Sequence, residues 1–423
     1  MSLYHELVWR RMVHQITSDE LPAFLEKESF TVYAGFDPTA DSLHVGHLLP
    51  VMGLVHCQRA GHRPIAVVGG ATGMIGDPSG KSSERNLLDE QAIERNVNGL
   101  RGQLEKFLDF SGERGALLVN NHDWIGDLTL IRFLRDVGKH FSVNAMMAKD
   151  SVKNRIENRE QGISFTEFTY SLLQAFDYYH LCATYGCRLQ IGGSDQWGNI
   201  VAGTDLIRRL LRQEAYGLTF HLLEKSDGTK FGKTESGAVW LDPNRTSPYK
   251  FYQFWINTAD SDVPRMLRTF TLLSHDETEA LESAAVDAPE KREAQKKLAG
   301  EVTRMVHGDD ALQNAIRASQ AMFGGDIKGL DDATLLEIFD EVPSIELPAA
   351  SLGEAKLLID VLVETNVFPS KGEARRMIQN GGLYLNGERA TLDSRVNEQA
   401  LCSASIAVVR KGKKDYHLLK FVE

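Results

Sequence analysis

Residues 33–50 read YAGFDPTADSLHVGHLLP. A short apolar, β-branched and aromatic run, FTVYAGF (30–36), leads into DPTADS and then into LHVGHLLPVMGLVHCQRAG, whose apolar residues recur near every 3.6 positions. That is a strand, a turn and a helix. Asp41 or Ser42 supplies a candidate helix cap, and Gly61 a stop. His44 and His47 stand three apart with Gly46 between them, so on a helix they share one face. Near a helix N-terminus, backbone N–H groups favour anions, and a glycine lets a ligand approach the backbone. The stretch therefore reads as a phosphate site at the carboxyl end of a parallel strand, where open α/β sheets bind ligands. The competing reading is two half-buried helix histidines with no ligand. A two-histidine metal site fits less well, because zinc helices usually space the pair at i, i+4.

The same alternation continues outward. RPIAVVGG, ALLVNNHDW and CRLQIGGSDQW are further apolar strands with helical patterns between them, as expected for a parallel sheet covered on both faces. Past Pro248 the pattern becomes helical to about Phe323. Residues 324–353 carry scattered Gly, Pro and Asp and read as a linker with one short helix. Then come an amphipathic helix in EAKLLIDVLVET and a second in FPSKGEARRMIQNGG, with Ser370 as its cap. A hairpin at Asn386-Gly387 and two strands around a basic turn close the chain.

The expected architecture is a Rossmann-like parallel-sheet domain (1–223), a linker carrying a glycine-rich loop (224–248), an α-helical domain (249–323), a linker (324–353) and a small α+β C-terminal domain (354–423).

The chain has 423 residues, 42% hydrophobic and 25% charged, enough to bury a large core without disulfides. Four cysteines suit a reducing compartment, and Cys182 and Cys187 lack a second ligand pair for zinc. The N-terminus reads as an amphipathic helix rather than a signal peptide, and no run is long enough to span a membrane. A cytoplasmic location follows as the expectation. Net charge is −11, but residues 369–423 hold ten Lys and Arg against six Asp and Glu, a local +4 on an acidic chain. A basic end on an acidic body directs attention to a nucleic-acid partner there.

GTKFGKTESG (228–237) is the second chemical stretch, a glycine-rich loop with Lys230, Lys233 and Thr234. Two ammonium groups on such a loop can close over a triphosphate and meet transition-state charge; the bland alternative is a solvated basic turn. GDPSGKSSER imitates a P-loop, but Gly76 and Gly80 have three residues between them where that motif needs four.

Together, HVGH on the first strand–helix turn and K-x-x-K-T after the sheet resemble the two signatures of class I aminoacyl-tRNA synthetases. YAGFDPTADSLHVGH, VVGGATGMIGDPSGKSSER, GISFTEFTYSLLQAFD, LQIGGSDQWGN and DGTKFGKTESGAVWLD narrow the resemblance to the bacterial tyrosyl-tRNA synthetase family, in family order. The C-terminal segment resembles the small RNA-binding module shared with a ribosomal small-subunit protein.

The resemblance implies an ATP-dependent ligase that adenylates tyrosine and transfers it to tRNA. It puts Tyr33 and Asp177 at the substrate phenol, Asp77, Tyr170 and Gln174 at the α-ammonium, and Gln196 at the carboxylate or developing phosphate charge. Tyr170, Gln174 and Asp177 are spaced i, i+4, i+7, on one helix face. Gly35, Asp37, His47, Gly193 and Asp195 fall around the ribose and its neighbours. Thr39, His44, Lys230, Lys233 and Thr234 fall on the phosphates, with Lys81 and Arg85 as a second clamp on pyrophosphate. Lys371, Arg375 and Arg376 on one helix, and Arg410, Lys411, Lys413 and Lys414 on one turn, would contact tRNA phosphates. Mg²⁺ would accompany ATP, with no protein metal site. The resemblance also implies a homodimer, with no DNA partner and no membrane contact.

Three rivals remain. A tryptophanyl enzyme would share the phosphate signatures without the Tyr33/Asp177 pair. An RNA-binding relic of a synthetase would carry damaged signatures. A metal-dependent hydrolase using His44 and His47 lacks a suitably spaced carboxylate.

Overall fold

The computed structural model describes every residue except 1, 28, 80–87, 158–161, 225, 227–230, 235–236, 322–326, 341, 413–414 and 423. The chain forms two compact units, 1–246 with 255–306, and 247–254 with 307–423.

The first unit is built on a six-stranded sheet. Its strands are β1 (Val13–Ile16), β2 (Thr31–Phe36), β3 (Arg63–Val68), β4 (Leu117–Asn120), β5 (Cys187–Gly193) and β6 (Tyr216–Phe220). Their order is β1-β6-β5-β2-β3-β4, all parallel except β1, which pairs antiparallel with β6. The central strands are buried on both faces, which explains their continuous apolar runs. β1 and β6 are additions to the expected set; β1 is a four-residue edge strand with no apolar run.

Helix Phe165–Tyr185 lies over one face of the sheet and packs closely on helix Trp197–Leu211. Tyr33 of β2 shares a buried cluster with Tyr178, Leu181 and Cys182 from the first helix and Ile207 from the second. The N-terminal helix is fastened to the helical part of this unit. Arg10 is buried and donates to the carbonyls of Arg268, Thr271 and Leu273 at 2.8–3.0 Å. Arg268 in turn makes a two-pronged contact with Glu282, 2.6 Å on each arm.

The second unit contains a five-stranded sheet with helices Leu358–Glu364 and Lys371–Gln379 against it. The Ser370 hydroxyl accepts from the Glu373 N–H and caps the second helix. Asn386 and Gly387 take φ of 51° and 83°, as a two-residue hairpin between antiparallel strands requires. Two expectations change here. Residues 324–353 are not simply a linker: Ser344–Pro348 is an edge strand, parallel to Asp415–Val422. Its alternating half-buried pattern is weak because only one face meets the core. The helical stretch 249–323 is also divided, with 255–306 in the first unit and the rest in the second.

Candidate functional site

β3 and β4 continue from β2 on one side, while β5 and β6 lie on the other. The crevice between the carboxyl ends of β2 and β5 is therefore a topological switch point. The turns after these two strands carry HVGH and GSDQ.

Tyr33 and Gly35 point to the same face of β2. Tyr33 is fully buried, edge-on to Tyr178 at 5.2 Å, and its hydroxyl has no hydrogen-bond partner among the described residues. Burial and the neighbouring Asp177 push its phenol pKa up. At Gly35 the sheet face is open: nothing lies within 4 Å of where a side chain would begin.

Asp177 sits on helix Phe165–Tyr185 and is buried. One carboxylate oxygen accepts from Trp124 Nε1 at 2.7 Å and the other from Asn121 Nδ2 at 3.0 Å. Burial pushes this carboxyl up to about 7; the two donors pull it down and Asp37 pushes it up. Trp124 is stacked on His180 at 4.5 Å.

The network continues without a break. Asn121 Nδ2 donates to Thr72 Oγ1 at 2.9 Å, Thr72 donates to Asp37 Oδ1 at 2.8 Å, and the Tyr170 hydroxyl donates to Asp37 Oδ2 at 2.8 Å. Asp37 thus lies against helix Phe165–Tyr185 as well as on the turn after β2.

A second cluster joins helix Phe165–Tyr185 to the turn after β5. Gln196 Nε2 donates to Asp77 Oδ2 at 2.8 Å and to Asp195 Oδ2 at 3.3 Å, while Gln174 Nε2 donates to Gln196 Oε1 at 3.2 Å. Asn199 Nδ2 also reaches Gln196 Oε1, at 3.3 Å. The expected Asp77, Gln174, Gln196 and Asp195 are therefore together. Beside them is a cavity of about 630 Å³ lined by Ser79, Lys149, Asp195, Trp197 and Asn199 among others. Burial lowers the Lys149 ammonium to about 8, with Asp77 acting against the shift. Lys149 Nζ has no hydrogen-bond partner among the described residues.

On the other side of Asp37, HVGH forms a short 3₁₀ turn, Val45–His47, before helix Leu48–Arg59. Neither Asp41 nor Ser42 caps it. His44 does, its Nδ1 accepting from the Gly46 N–H, while His47 Nδ1 accepts from the His44 N–H at 3.1 Å. The tighter turn stacks the two rings at 3.9 Å and 15°. Thr39 is exposed on the preceding bend.

Lys233–Thr234 pairs antiparallel with Gly237–Ala238, and the chain beyond returns to the HVGH turn. The Val45 N–H donates to the Val239 carbonyl at 2.9 Å, and Leu241 N–H to the Leu43 carbonyl at 2.8 Å. Gly232, at φ 82°, lies against Val45, where a Cβ would come within 2.8 Å of Cγ2. The two stretches, almost two hundred residues apart, thus meet through their backbones. Lys81, Arg85 and Lys230 lie outside the described residues, and Lys233 and Thr234 are described in backbone only.

In the second unit Lys371, Arg375 and Arg376 are exposed on helix Lys371–Gln379. Arg410 and Lys411 are not in a turn: pairing with Tyr416 and Asp415 extends their strand to 411, and the turn starts at Gly412 with φ 63°. Arg410 lies over the Tyr384 ring at 3.9 Å, and Lys411 Nζ donates to the Val367 carbonyl at 3.2 Å. Lys413 and Lys414 lie outside the described residues.

Sequence reading missed Thr72, Asn121, Trp124 and Lys149. Asn121 and Trp124 had one available signal, their place just past the carboxyl end of β4.

The family described as tRNA synthetases class I (W and Y) matches residues 25–324, and the tyrosine–tRNA ligase SYY-like C-terminal domain matches residues 334–419. The chain is 53% identical to a tyrosine–tRNA ligase of Roseiflexus castenholzii over 430 residues, covering 100% of both chains. It is 53% identical to that of Geobacillus stearothermophilus over 425 residues, again covering 100% of both. Among solved structures it is similar to a C-terminally truncated Aspergillus nidulans mitochondrial tyrosyl-tRNA synthetase. There the TM-score is 0.69 and the identity 32%, over 76% of this chain and 94% of that one.

Proposed function

The chain belongs to the class I tRNA synthetases of the tryptophan and tyrosine family, and we infer from that premise that it is a tyrosine–tRNA ligase. Tyrosine and ATP give tyrosyl adenylate and pyrophosphate, and the tyrosyl group then passes to the 3′ end of tRNA(Tyr). Full-length identity to tyrosine–tRNA ligases supports this.

The observation that carries the choice of tyrosine over tryptophan is the Tyr33/Asp177 pair. Asp177 accepts the substrate phenol O–H, and the Tyr33 hydroxyl donates to the phenol oxygen. Phenylalanine would leave both groups buried and unmatched, which is how such a pocket rejects an analogue lacking a hydroxyl. Asp77, Tyr170 and Gln174 receive the α-ammonium, and Gln196 faces the carboxylate. That carboxylate is already a nucleophile and attacks the α-phosphate in line, so no general base is needed.

Rate then comes from positioning and from donors that meet the developing phosphate charge. Thr39, His44, Lys230, Lys233 and Thr234 serve that role. Gly35, Asp37, His47, Gly193 and Asp195 surround the nucleoside, and Lys81 and Arg85 face pyrophosphate. Mg²⁺ would accompany ATP as part of the substrate and offset its phosphate charge.

The C-terminal unit holds tRNA through its basic residues, and the helical region 249–323 faces the anticodon side. The chain acts in the cytoplasm, a reading consistent with four buried free cysteines. It works as a homodimer. Exposed apolar side chains supporting this include Leu130, Ile131, Val143 and Phe165, 58–76% accessible and all within residues 130–165.

Amino-acid-dependent ATP–pyrophosphate exchange across all twenty amino acids tests the reading. Tyrosine alone should support exchange. Exchange with tryptophan would transfer the pocket to the other branch of the family, and none with any amino acid would remove the activity.

A further inference from the structure

Trp240 and Arg245 belong to neither signature, yet they sit where the two signatures meet. Trp240 is the bridge partner of His44, and its indole meets the His44 ring edge-on at 6.0 Å and 63°. The Arg245 guanidinium lies over the indole, 3.6 Å from its centre. Arg245 Nη1 also donates to Asp41 Oδ1 at 2.6 Å, three residues before His44. Backbone and side-chain bonds run alongside: Trp240 N–H to Thr246 Oγ1 at 3.0 Å, and Asp242 N–H to Ser42 Oγ at 3.2 Å. Arg245 therefore links the segment leaving the lysine hairpin to the segment entering the histidine turn, and it covers the ring that contacts His44.

We propose that Asp41, Trp240 and Arg245 form a clasp that positions His44 and the base of the Lys233 hairpin for the pyrophosphate-releasing step. The clasp rests on reading the His44 turn as a phosphate-binding element. An exposed ion pair alone does little for stability. Here the planar guanidinium is shared between a carboxylate and an indole face, a geometry that lysine cannot reproduce. The value of such a contact lies in placement. Donors that stabilise transition-state charge act only when held in register, and small displacements cost rate without unfolding the protein. Arg245 is thus a positioning residue acting through Trp240 and the 239–241 backbone, and its loss should appear in kcat rather than in tyrosine binding.

The test uses the full chain with Arg245→Ala, Arg245→Lys, Asp41→Asn, the Asp41→Asn/Arg245→Ala double variant, and His44→Asn as reference. Three quantities are measured: kcat of tyrosine-dependent pyrophosphate exchange, tyrosine affinity by equilibrium dialysis, and the melting temperature. Arg245→Ala should lower kcat about tenfold, with tyrosine affinity unchanged within about twofold and melting nearly unmoved. Arg245→Lys should recover only part of the loss, and the double variant should be no worse than Arg245→Ala alone. An Arg245→Ala kcat within twofold of the parent, beside a damaged His44→Asn enzyme, would overturn the clasp and leave the phosphate site standing. A parallel fall in kcat, tyrosine affinity and melting temperature would also overturn it, reducing the contact to a structural one. An unimpaired His44→Asn enzyme would remove the phosphate-site reading, and the clasp with it.

Discussion

The two sides of the crevice proposed to take tyrosine and phosphate are built from different materials. On the first side the side chains project from a helix and from strand ends, and all but Tyr33 are already bonded to one another. The chain Tyr170–Asp37–Thr72–Asn121–Asp177–Trp124 has every link at 3.0 Å or less. The phosphate side is a short turn and a two-residue hairpin joined by backbone bonds, with long cationic side chains attached. Selecting a hydroxyl needs buried partners fixed before the substrate arrives. Stabilising charge that appears only in the transition state needs donors that can come to it. The first job suits regular elements and the second suits loops.

Asp177 offers the largest break in that contrast. Asp177→Ala leaves Asn121, Trp124 and the substrate phenol without their shared acceptor. We expect kcat/KM for tyrosine to fall roughly 10³-fold or more while phenylalanine activation stays low, so the selectivity ratio collapses. Pyrophosphate exchange with both amino acids measures it; retained selectivity would mean that the phenol is read elsewhere.

The next effect is on the support of the same helix. Arg155 Nη2 meets Glu167 Oε2 at 2.9 Å, with both side chains almost fully buried, 2% and 1% accessible. Arg155→Ala strands the carboxylate and should cost about 3–5 kcal/mol. Arg155→Met with Glu167→Met should recover most of it, since the apolar pair leaves no buried charge. Chemical denaturation of the three proteins decides. Single and double variants equally destabilised would mean that the pair contributes packing rather than charge compensation.

A smaller effect comes from pH. Burial raises the folded carboxyl of Asp177 to about 7. A protonated Asp177 cannot accept the phenol hydrogen in the proposed manner, so kcat/KM for tyrosine should rise up to tenfold per unit toward pH 7 and level off above it. Stability runs the other way. The unfolded carboxyl titrates near its ordinary value of about 4, so this group's contribution is present below that and is lost as pH rises through about 7. Asp177→Asn should flatten both profiles. A rising limb that survives the substitution would assign it to another group.

The sequence displayed these two sides unequally. β2, β3 and β5 were visible because strands buried on both faces must be apolar throughout, and β4, a half-buried edge strand, because LLV is a short apolar run. β1 was not, since VHQI is half-exposed and gains its place by pairing with β6 some two hundred residues away. SIELP passed for linker because only one face of that edge strand is covered. Asn121 and Trp124 read as the end of the strand ALLVNNHDW, but the strand stops at Asn120, and the long helix brings Asp177 to them. The division of 249–323 between two units is equally a matter of long-range packing. The stretches that bear chemistry could be named from local pattern, but the partners that hold them could not. Trp240 and Arg245 are of the second kind.

A contrast between side chains already committed to a partner and side chains less so separates the basic residues of the C-terminal unit, and the smallest prediction concerns them. Arg375 is exposed on its helix, the Arg376 Nε donates weakly to the Gly372 carbonyl at 3.4 Å, and Lys371 is paired with Asp360 at 2.7 Å. Arg410 is committed to the Tyr384 ring and Lys411 to the Val367 carbonyl. A phosphate contact made by an unengaged side chain releases counterions, and each adds somewhat under one to the slope of log affinity against log salt. A lysine that must first leave a carboxylate adds less. The Lys371→Gln/Arg375→Gln/Arg376→Gln variant should therefore reduce that slope by less than the three that unengaged side chains would give, roughly one to two, weaken tRNA charging, and leave tyrosine-dependent pyrophosphate exchange intact. Arg410→Ala should change the slope by less than one and act mainly by loosening the strand pair it covers. A larger salt effect from Arg410 than from the three helix positions would show that tRNA takes the side chains the fold already uses. The distinction between prepared and waiting groups would then fail in this unit, where the tyrosine pocket would still obey it.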